Sequence, residues 1–104
     1  MQLPTKGDFS RQVNKMFRAA PAEAPAFELA LIGLNEIADT DSQETFSLLF
    51  QGPTDAPPVQ SIYSIENDDL GTMDLFLVPV ERNDQGLFLK QFLIDSNILT
   101  NRAT

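Results

Sequence analysis

The side chains with the clearest capacity for chemistry in this sequence are carboxylates, and they gather in two acidic runs. Asp39, Asp41 and Glu44 form a D-x-D-x-x-E pattern, and residues 66–69 read Glu-Asn-Asp-Asp. Carboxylate oxygens at such spacings can bind calcium or magnesium. The first run lacks the glycine and distal glutamate of a calcium-binding loop, and Asp and Asn are also the residues that turns require. We therefore interpret both runs as solvated turns, and we predict no metal site and no cofactor.

Other side chains offer further routes to catalysis. Glu66 paired with Asp69 or Asp74 could act as the acid and base of a glycosidase, but one Tyr and no Trp give a sugar little to stack on. Lys90 lies in an apolar strand, where desolvation can activate an amine, although a lysine stem lying along an edge strand is commoner. The chain has no Cys and no His, so it lacks thiolates and the usual base near neutral pH. We expect no catalytic residues and a protein that is not an enzyme.

Length and charge limit the partners further. A chain of 104 residues is the size of one domain. Of the net charge of −8, residues 1–20 carry +3 and the remaining 84 carry −11. An acidic body repels a phosphate backbone, so we expect no nucleic-acid partner. No apolar run reaches the ~18 residues of a membrane span, and no secretory signal is present, so we expect no membrane span and a cytoplasmic location.

The elements begin with a predicted helix over residues 7–20. Phe9, Val13, Met16 and Phe17 recur at helical spacing and share one face. A proline follows and ends the helix. This apolar stripe packs either on the sheet of its own chain or on a neighbouring subunit.

From residue 27 onward the hydrophobic period is two, which is typical of strands. We predict a mainly β fold, a small five-stranded antiparallel barrel or curled sheet with one N-terminal helix. Residues 1–24 form a helical arm and linker, 25–95 the β domain and 96–104 a flexible tail. The five predicted strands are Phe27–Leu34, Phe46–Phe50, Val59–Ile65, Met73–Val80 and Leu87–Ile94.

Some apolar residues lie out of phase with the main alternation, which indicates a second apolar face. Leu49, Phe76, Val78, Phe88 and Phe92 are of this kind. Such a face is covered by the helix or by another subunit, so we expect a homo-oligomer or a protein partner. The predicted partner interface comprises Phe9, Val13, Met16, Phe17, Phe76, Phe88 and Phe92.

Four segments resemble a family of small bacterial domains of unknown function. They read FSLLFQGP at 46–53, SIYSIE at 61–66, LG at 70–71 and LFLVPV at 75–80. The family pattern runs "fsLlFxGP", then "Y-x-hydrophobic-E", then "lG-x-x-x-lFLvPv". The similarity covers roughly residues 27–92. The last strand, FLKQFL at 88–93, departs from the "Y-E-A-V-F-N" ending of the family.

The resemblance implies a function only in outline, because that family has no established activity to carry over. Its members are associated with phage-tail-like collar and fibre genes, which favours a structural or assembly role. Our leading hypothesis is a non-enzymatic structural or protein-interaction module. The alternative is a small-ligand or carbohydrate-binding module whose site lies at a barrel mouth, near Pro53–Pro58 and the acidic turn 66–69. A carboxylate-based enzyme is a third hypothesis.

Overall fold

The computed structural model describes residues 6–22, 24–39 and 44–95. Within these ranges the chain forms one short helix and six strands: α1 (Lys6–Ser10), β1 (Met16–Pro21), β2 (Phe27–Asp39), β3 (Glu44–Gly52), β4 (Ser61–Asn67), β5 (Gly71–Asn83) and β6 (Gly86–Asp95). Antiparallel pairing closes the strands into a barrel in the order β1-β2-β3-β6-β5-β4. The predicted mainly β barrel with an N-terminal helix is confirmed. The described part of the chain contributes six strands to it, whereas we predicted five.

The additional strand is β1, which replaces the second half of the helix predicted over residues 7–20. The helix α1 is only five residues long. Burial then alternates along β1, with Phe17 and Ala19 inside and Arg18 exposed. The prediction of a helix over Met16–Pro21 is wrong because this segment pairs with both β2 and β4. That pairing satisfies two strand edges that would otherwise be open.

The barrel interior is filled by apolar side chains from alternate positions of its strands, as the period of two predicts. The largest fully buried side chains are Tyr63, Phe9, Phe17, Phe46, Phe50, Leu29, Leu31, Leu48, Ile65, Leu77, Leu87 and Leu89. Phe17 and Phe50 meet edge to face with ring centroids 5.7 Å apart, a geometry that aromatic rings favour. These side chains form one continuous hydrophobic core inside the barrel.

The helix α1 covers one end of this core. Phe9 is 1% exposed, and its ring centroid lies 6.0 Å from that of Phe46. The chain then turns into β1 at Asn14, whose φ of 74° lies in the left-handed region, which Asn adopts more readily than most residues. The Asn14 N–H donates to the Leu31 carbonyl at 2.6 Å. Among the described residues, no helix is long and apolar enough to cross a membrane.

The loop between β3 and β4, residues 53–60, covers the opposite end. Ala56 is 3% exposed, and the guanidinium of Arg82 donates a hydrogen bond to its carbonyl oxygen. The hydroxyl of Tyr63 donates to the carbonyl of Val59 at 2.6 Å. Burial raises the pKa of the Tyr63 phenol above its ordinary value of 10.0. Tyr63 thus anchors the loop from within the core.

Candidate functional site

The two acidic runs do not form a metal centre in the part of the chain that the structure describes. Asp41 lies outside the described residues, and Asp39 pairs with Glu44 at the end of the β2–β3 ladder. In the second run, the side-chain oxygen of Asn67 accepts hydrogen bonds from the backbone N–H groups of Asp69 and the next residue. This is how an Asx residue closes a turn. Across residues 6–22, 24–39 and 44–95, no three or more metal-binding side chains come together.

The second acidic run instead anchors the N-terminal segment. Gln12 is 5% exposed; its amide nitrogen donates to the Asp69 carboxylate at 3.1 Å, and its amide oxygen accepts from the Asn67 amide at 2.8 Å. A cleft of about 430 Å³ beside this network is lined by Asp8, Arg11, Gln12, Lys15, Asp69 and Leu70. Because buried amides need hydrogen-bond partners, the network ties the segment after α1 to the β4–β5 turn. We assign it a structural role.

The two features that predicted a ligand site at a barrel mouth lie at opposite ends of the barrel. The loop containing Pro53–Pro58 precedes β4, and the acidic turn at residues 66–69 ends β4 and follows it. The strand has seven residues, which at ~3.3 Å per residue separate the two by roughly 20 Å. Phe9 fills one end and Ala56 the other. A single mouth that combines both features, as the ligand-binding alternative required, is therefore not formed.

A groove of about 440 Å³ lies instead on the outer face of the barrel. It is lined by Gly33, Leu34, Asn35, Ser47, Leu49, Val80 and Lys90. The strand register brings together the three residues at the centre of the groove, because Gly33 pairs with Leu49 and Leu49 pairs with Lys90. These three form one outward row across β2, β3 and β6, while their neighbours Leu48 and Leu89 are buried in the core. Gly33 contributes no side chain to the row, so the surface dips there.

Exposed hydrophobic side chains extend this groove into an apolar band. Ile62 is 59% exposed, Phe76 45% and Val80 47%. Ile62 and Phe76 are direct cross-strand partners on β4 and β5. Val78, two residues beyond Phe76 on the same face, pairs with Lys90 in the groove. We call the groove together with Ile62, Phe76 and Val78 the outer band; it crosses five strands, from β2 to β4.

The first part of the predicted partner interface lies within the chain's own core. Phe9 and Phe17 are each 1% exposed, and Val13 packs partly buried against the core. These side chains are used internally because α1 covers a barrel end and β1 is a barrel strand. In this fold Phe9 and Phe17 are buried, and Val13 is only partly exposed.

Three other predicted interface residues are closer to the surface. Met16 is 52% exposed on β1, Phe76 is 45% exposed and Phe88 is half-buried. Phe92 lies in the part of β6 whose side chains the structure does not describe. Met16 and Phe76 are on strands that do not neighbour each other, so the structure places only Phe76 in the outer band.

Sequence reasoning missed several contributors to the outer band, and Ile62, Val80 and Gly33 are the most informative of them. Ile62 alternates with the buried residues Tyr63 and Ile65, so its phase could have identified it as outward-facing. Val80 lies at a bulge that follows residue 79, and a bulge leaves no mark in a hydrophobic pattern. Gly33 contributes an empty space that depends on which side chains lie across from it. The last two required the tertiary structure.

Comparison with known proteins places the domain in a family. Residues 4–91 match the family described as Domain of unknown function (DUF6916). The chain belongs to this family. The match runs from the N-terminal segment into β6, so α1 and β1 are part of the DUF6916 domain, as closure of the barrel requires. Neither a curated protein nor a solved structure matches the chain.

Proposed function

We propose that this DUF6916 domain is a non-enzymatic interaction module that binds a protein partner through the outer band. The observation that carries the proposal is the exposure of Ile62, Phe76 and Val80 on that face. Large apolar side chains that adjoin one another at a protein surface are typical of contact sites. Aromatic residues in particular are enriched where proteins meet.

The exposed area sets the scale of the binding energy. Fully burying a Phe or Ile side chain contributes about 1.5–3 kcal/mol. Phe76 and Ile62 are each about half exposed, so a partner that covers both gains about 2 kcal/mol from the pair. The groove adds a concavity that accepts a side chain from the partner. Together these features suit one specific contact of moderate strength.

The setting we propose is a phage-tail-like complex, in which the domain is an accessory or assembly protein. The support is the resemblance in sequence to a family of small bacterial domains. Members of that family are associated with phage-tail-like collar and fibre genes. A barrel with both ends covered suits a role that depends on surface contacts, because function resides in sites on a fold and not in the fold itself.

A second candidate function is binding of a small ligand in the groove. Its volume of about 440 Å³ lies within the roughly 300–1,000 Å³ of small-molecule pockets. Its lining combines apolar side chains with the polar groups of Asn35, Ser47 and Lys90. This candidate moves the ligand site of the alternative hypothesis from a barrel mouth to the groove.

The experiment compares three variants in their recovery of partner from the native host. Ile62→Ser with Phe76→Ser removes the exposed pair, and Gly33→Leu fills the groove. Met16→Ser is the matched control, since Met16 is 52% exposed but lies outside the outer band. We expect the double variant to lose partner recovery by roughly tenfold or more, which corresponds to about 1.4 kcal/mol, and the control to retain it.

The same set of variants separates the two candidates. Loss of partner on the double variant, with a normal circular dichroism spectrum, supports the interaction module. Retained partner binding on the double variant contradicts it. A small molecule that co-purifies with the wild type and the double variant but is lost in Gly33→Leu favours the second candidate.

A further inference from the structure

Part of β2 has a neighbouring strand on one side only. The ladder between β1 and β2 ends where Met16 pairs with Ala30, and the segment before β1 adds two backbone hydrogen bonds to Leu31. The ladder with β3 continues on the other side as far as Asp39. Among the strands that the structure describes, none pairs with the far side of residues 33–35. We call these three residues the β2 edge.

The pairing pattern shows which backbone groups point out of the β2 edge. In an antiparallel ladder, residues alternate between those that bond to the neighbouring strand and those that point away from it. Leu31 pairs with Phe50, and its N–H points away from β3 to the carbonyl of Lys15. Leu34 pairs with Leu48, the next residue of β3 that is equivalent to Phe50, and a bulge in β2 accounts for the extra residue between them. The N–H and C=O of Leu34 therefore also point away from β3.

The outer face beside the β2 edge has room for a large side chain. Gly33 and Asn35 flank Leu34 on that face, and all three line the groove. The nearest atom to a Cβ placed on Gly33 is the Cβ of Leu49, 3.8 Å away, so the glycine leaves a gap. A large aromatic side chain on a neighbouring strand can fill the space beside an edge glycine. The β2 edge thus places backbone hydrogen-bonding groups next to a pocket.

Charge disfavours a second copy of this chain as the strand that pairs with the β2 edge. The chain has a net charge of −8, and β2 contains Glu28, Glu36 and Asp39 but no basic residue. Pairing the same edge of two copies would bring these acidic strands together, and like charges opposite each other destabilise a sheet. A neutral or basic strand from another protein meets no such repulsion.

We propose that the partner of the outer band contributes an extended segment, neutral or basic in charge, that adds a strand along the β2 edge. Backbone hydrogen bonds to Leu34 attach this segment, and a large apolar side chain opposite Gly33 enters the groove. In recognition by strand addition, the main chain gives affinity and pockets for alternate side chains give specificity. The inference rests on the proposed function, because it names the form in which that partner binds.

The first experiment tests the backbone of the added strand on the wild-type, full-length protein. The probe is a synthetic peptide of about seven residues, a common strand length, selected from a library that alternates apolar or aromatic residues with Thr or Lys. Versions of this peptide are N-methylated at every second position, which removes the N–H donor as proline does. Binding is measured by fluorescence anisotropy.

We expect the two alternate sets of N-methyl groups to differ. The set that removes the N–H groups facing β2 should weaken binding by roughly tenfold or more. The other set removes N–H groups that face solvent and should leave the affinity unchanged. Equal effects of the two sets, or a library that contains no binding peptide, overturn the proposal.

A pair of protein variants tests the same contact from the side of β2. Leu34→Pro removes the N–H, and Leu34→Val is the matched control that keeps it. Because this N–H lies outside the ladder with β3, proline is compatible with the position, as on other strand edges. We expect Leu34→Pro to bind the unmethylated peptide roughly tenfold more weakly and Leu34→Val to bind it as the wild type does. A folded Leu34→Pro that binds as tightly as Leu34→Val refutes the strand addition. If Leu34→Pro does not fold, the methylated peptides decide.

Two further results separate this inference from its alternatives. A wild-type dimer in sedimentation that Leu34→Pro dissociates would identify a second copy as the occupant of the β2 edge, and would overturn the proposal. Recovery of the native partner separates the inference from the proposed function. Loss of that partner in Ile62→Ser/Phe76→Ser but not in Leu34→Pro contradicts the strand addition alone. Loss in Leu34→Pro alone supports the strand addition and contradicts the contact through Ile62 and Phe76. Retention by both variants contradicts both proposals.

Discussion

Phe9 provides the sharpest test of the fold, because it decides whether α1 belongs to the core. The perturbation is Phe9→Ala. The side chain is 1% exposed and packs on Phe46 at a centroid distance of 6.0 Å. Replacing a core Phe by Ala typically lowers the free energy of unfolding by about 3–5 kcal/mol. The open cleft beside Gln12 lets neighbouring groups and water relax into the space, so we expect about 3 kcal/mol, the low end of this range.

The assay is thermal unfolding followed by circular dichroism. For a domain of about 100 residues, 1 kcal/mol shifts Tm by about 4–8 °C, so Phe9→Ala should lower Tm by about 12–24 °C. Phe76→Ala is the control, because Phe76 is 45% exposed and its loss should change stability by less than ~1 kcal/mol. If the two variants shift Tm equally, α1 does not form part of the core and the reasoning is refuted.

Two further predictions concern Tyr63 and Gly86. Because the pKa of Tyr63 is raised in the fold, the unfolded chain loses its phenolic proton at a lower pH than the native chain does. This group should therefore leave the free energy of unfolding unchanged below pH 10 and should lower it as pH rises above 10. In urea titrations at several pH values, Tyr63→Phe should lose less stability above pH 10 than the wild type does. Gly86 has a φ of 138°, and a Cβ placed there would collide with the carbonyl oxygen of Gly52. Gly86→Ala should cost about 2 kcal/mol or more in urea unfolding, whereas Gly33→Ala, where the nearest atom to the added Cβ is 3.8 Å away, should stay within about 1 kcal/mol.

The sequence predicted most of the β architecture and part of the outer band. The five strands after residue 26 follow from hydrophobic alternation, and the structure contains each of them. Four are longer than predicted, and β4 (Ser61–Asn67) has the predicted length but begins and ends two residues later. The out-of-phase residues Phe76 and Val78 correctly indicated a second apolar face, because Phe76 is exposed on it. The prediction of one helix over residues 7–20 is correct for its start and wrong for Met16 onward, where β1 begins. The sequence does not separate the two cases, because the spacing of Phe9 and Phe17 fits one helical face as well as it fits a helix followed by a strand. Only pairing with β2 and β4 decides between those interpretations.

What the sequence by itself determined is the set of strands, the position of the turns and the excess of apolar side chains over one core. These depend on neighbours along the chain, since side-chain alternation and turn chemistry are local. The tertiary structure alone decided that β1 closes the barrel, that both ends are covered and that a groove opens opposite Gly33. Those features depend on strand register and on bulges, which are fixed by contacts between residues far apart in sequence.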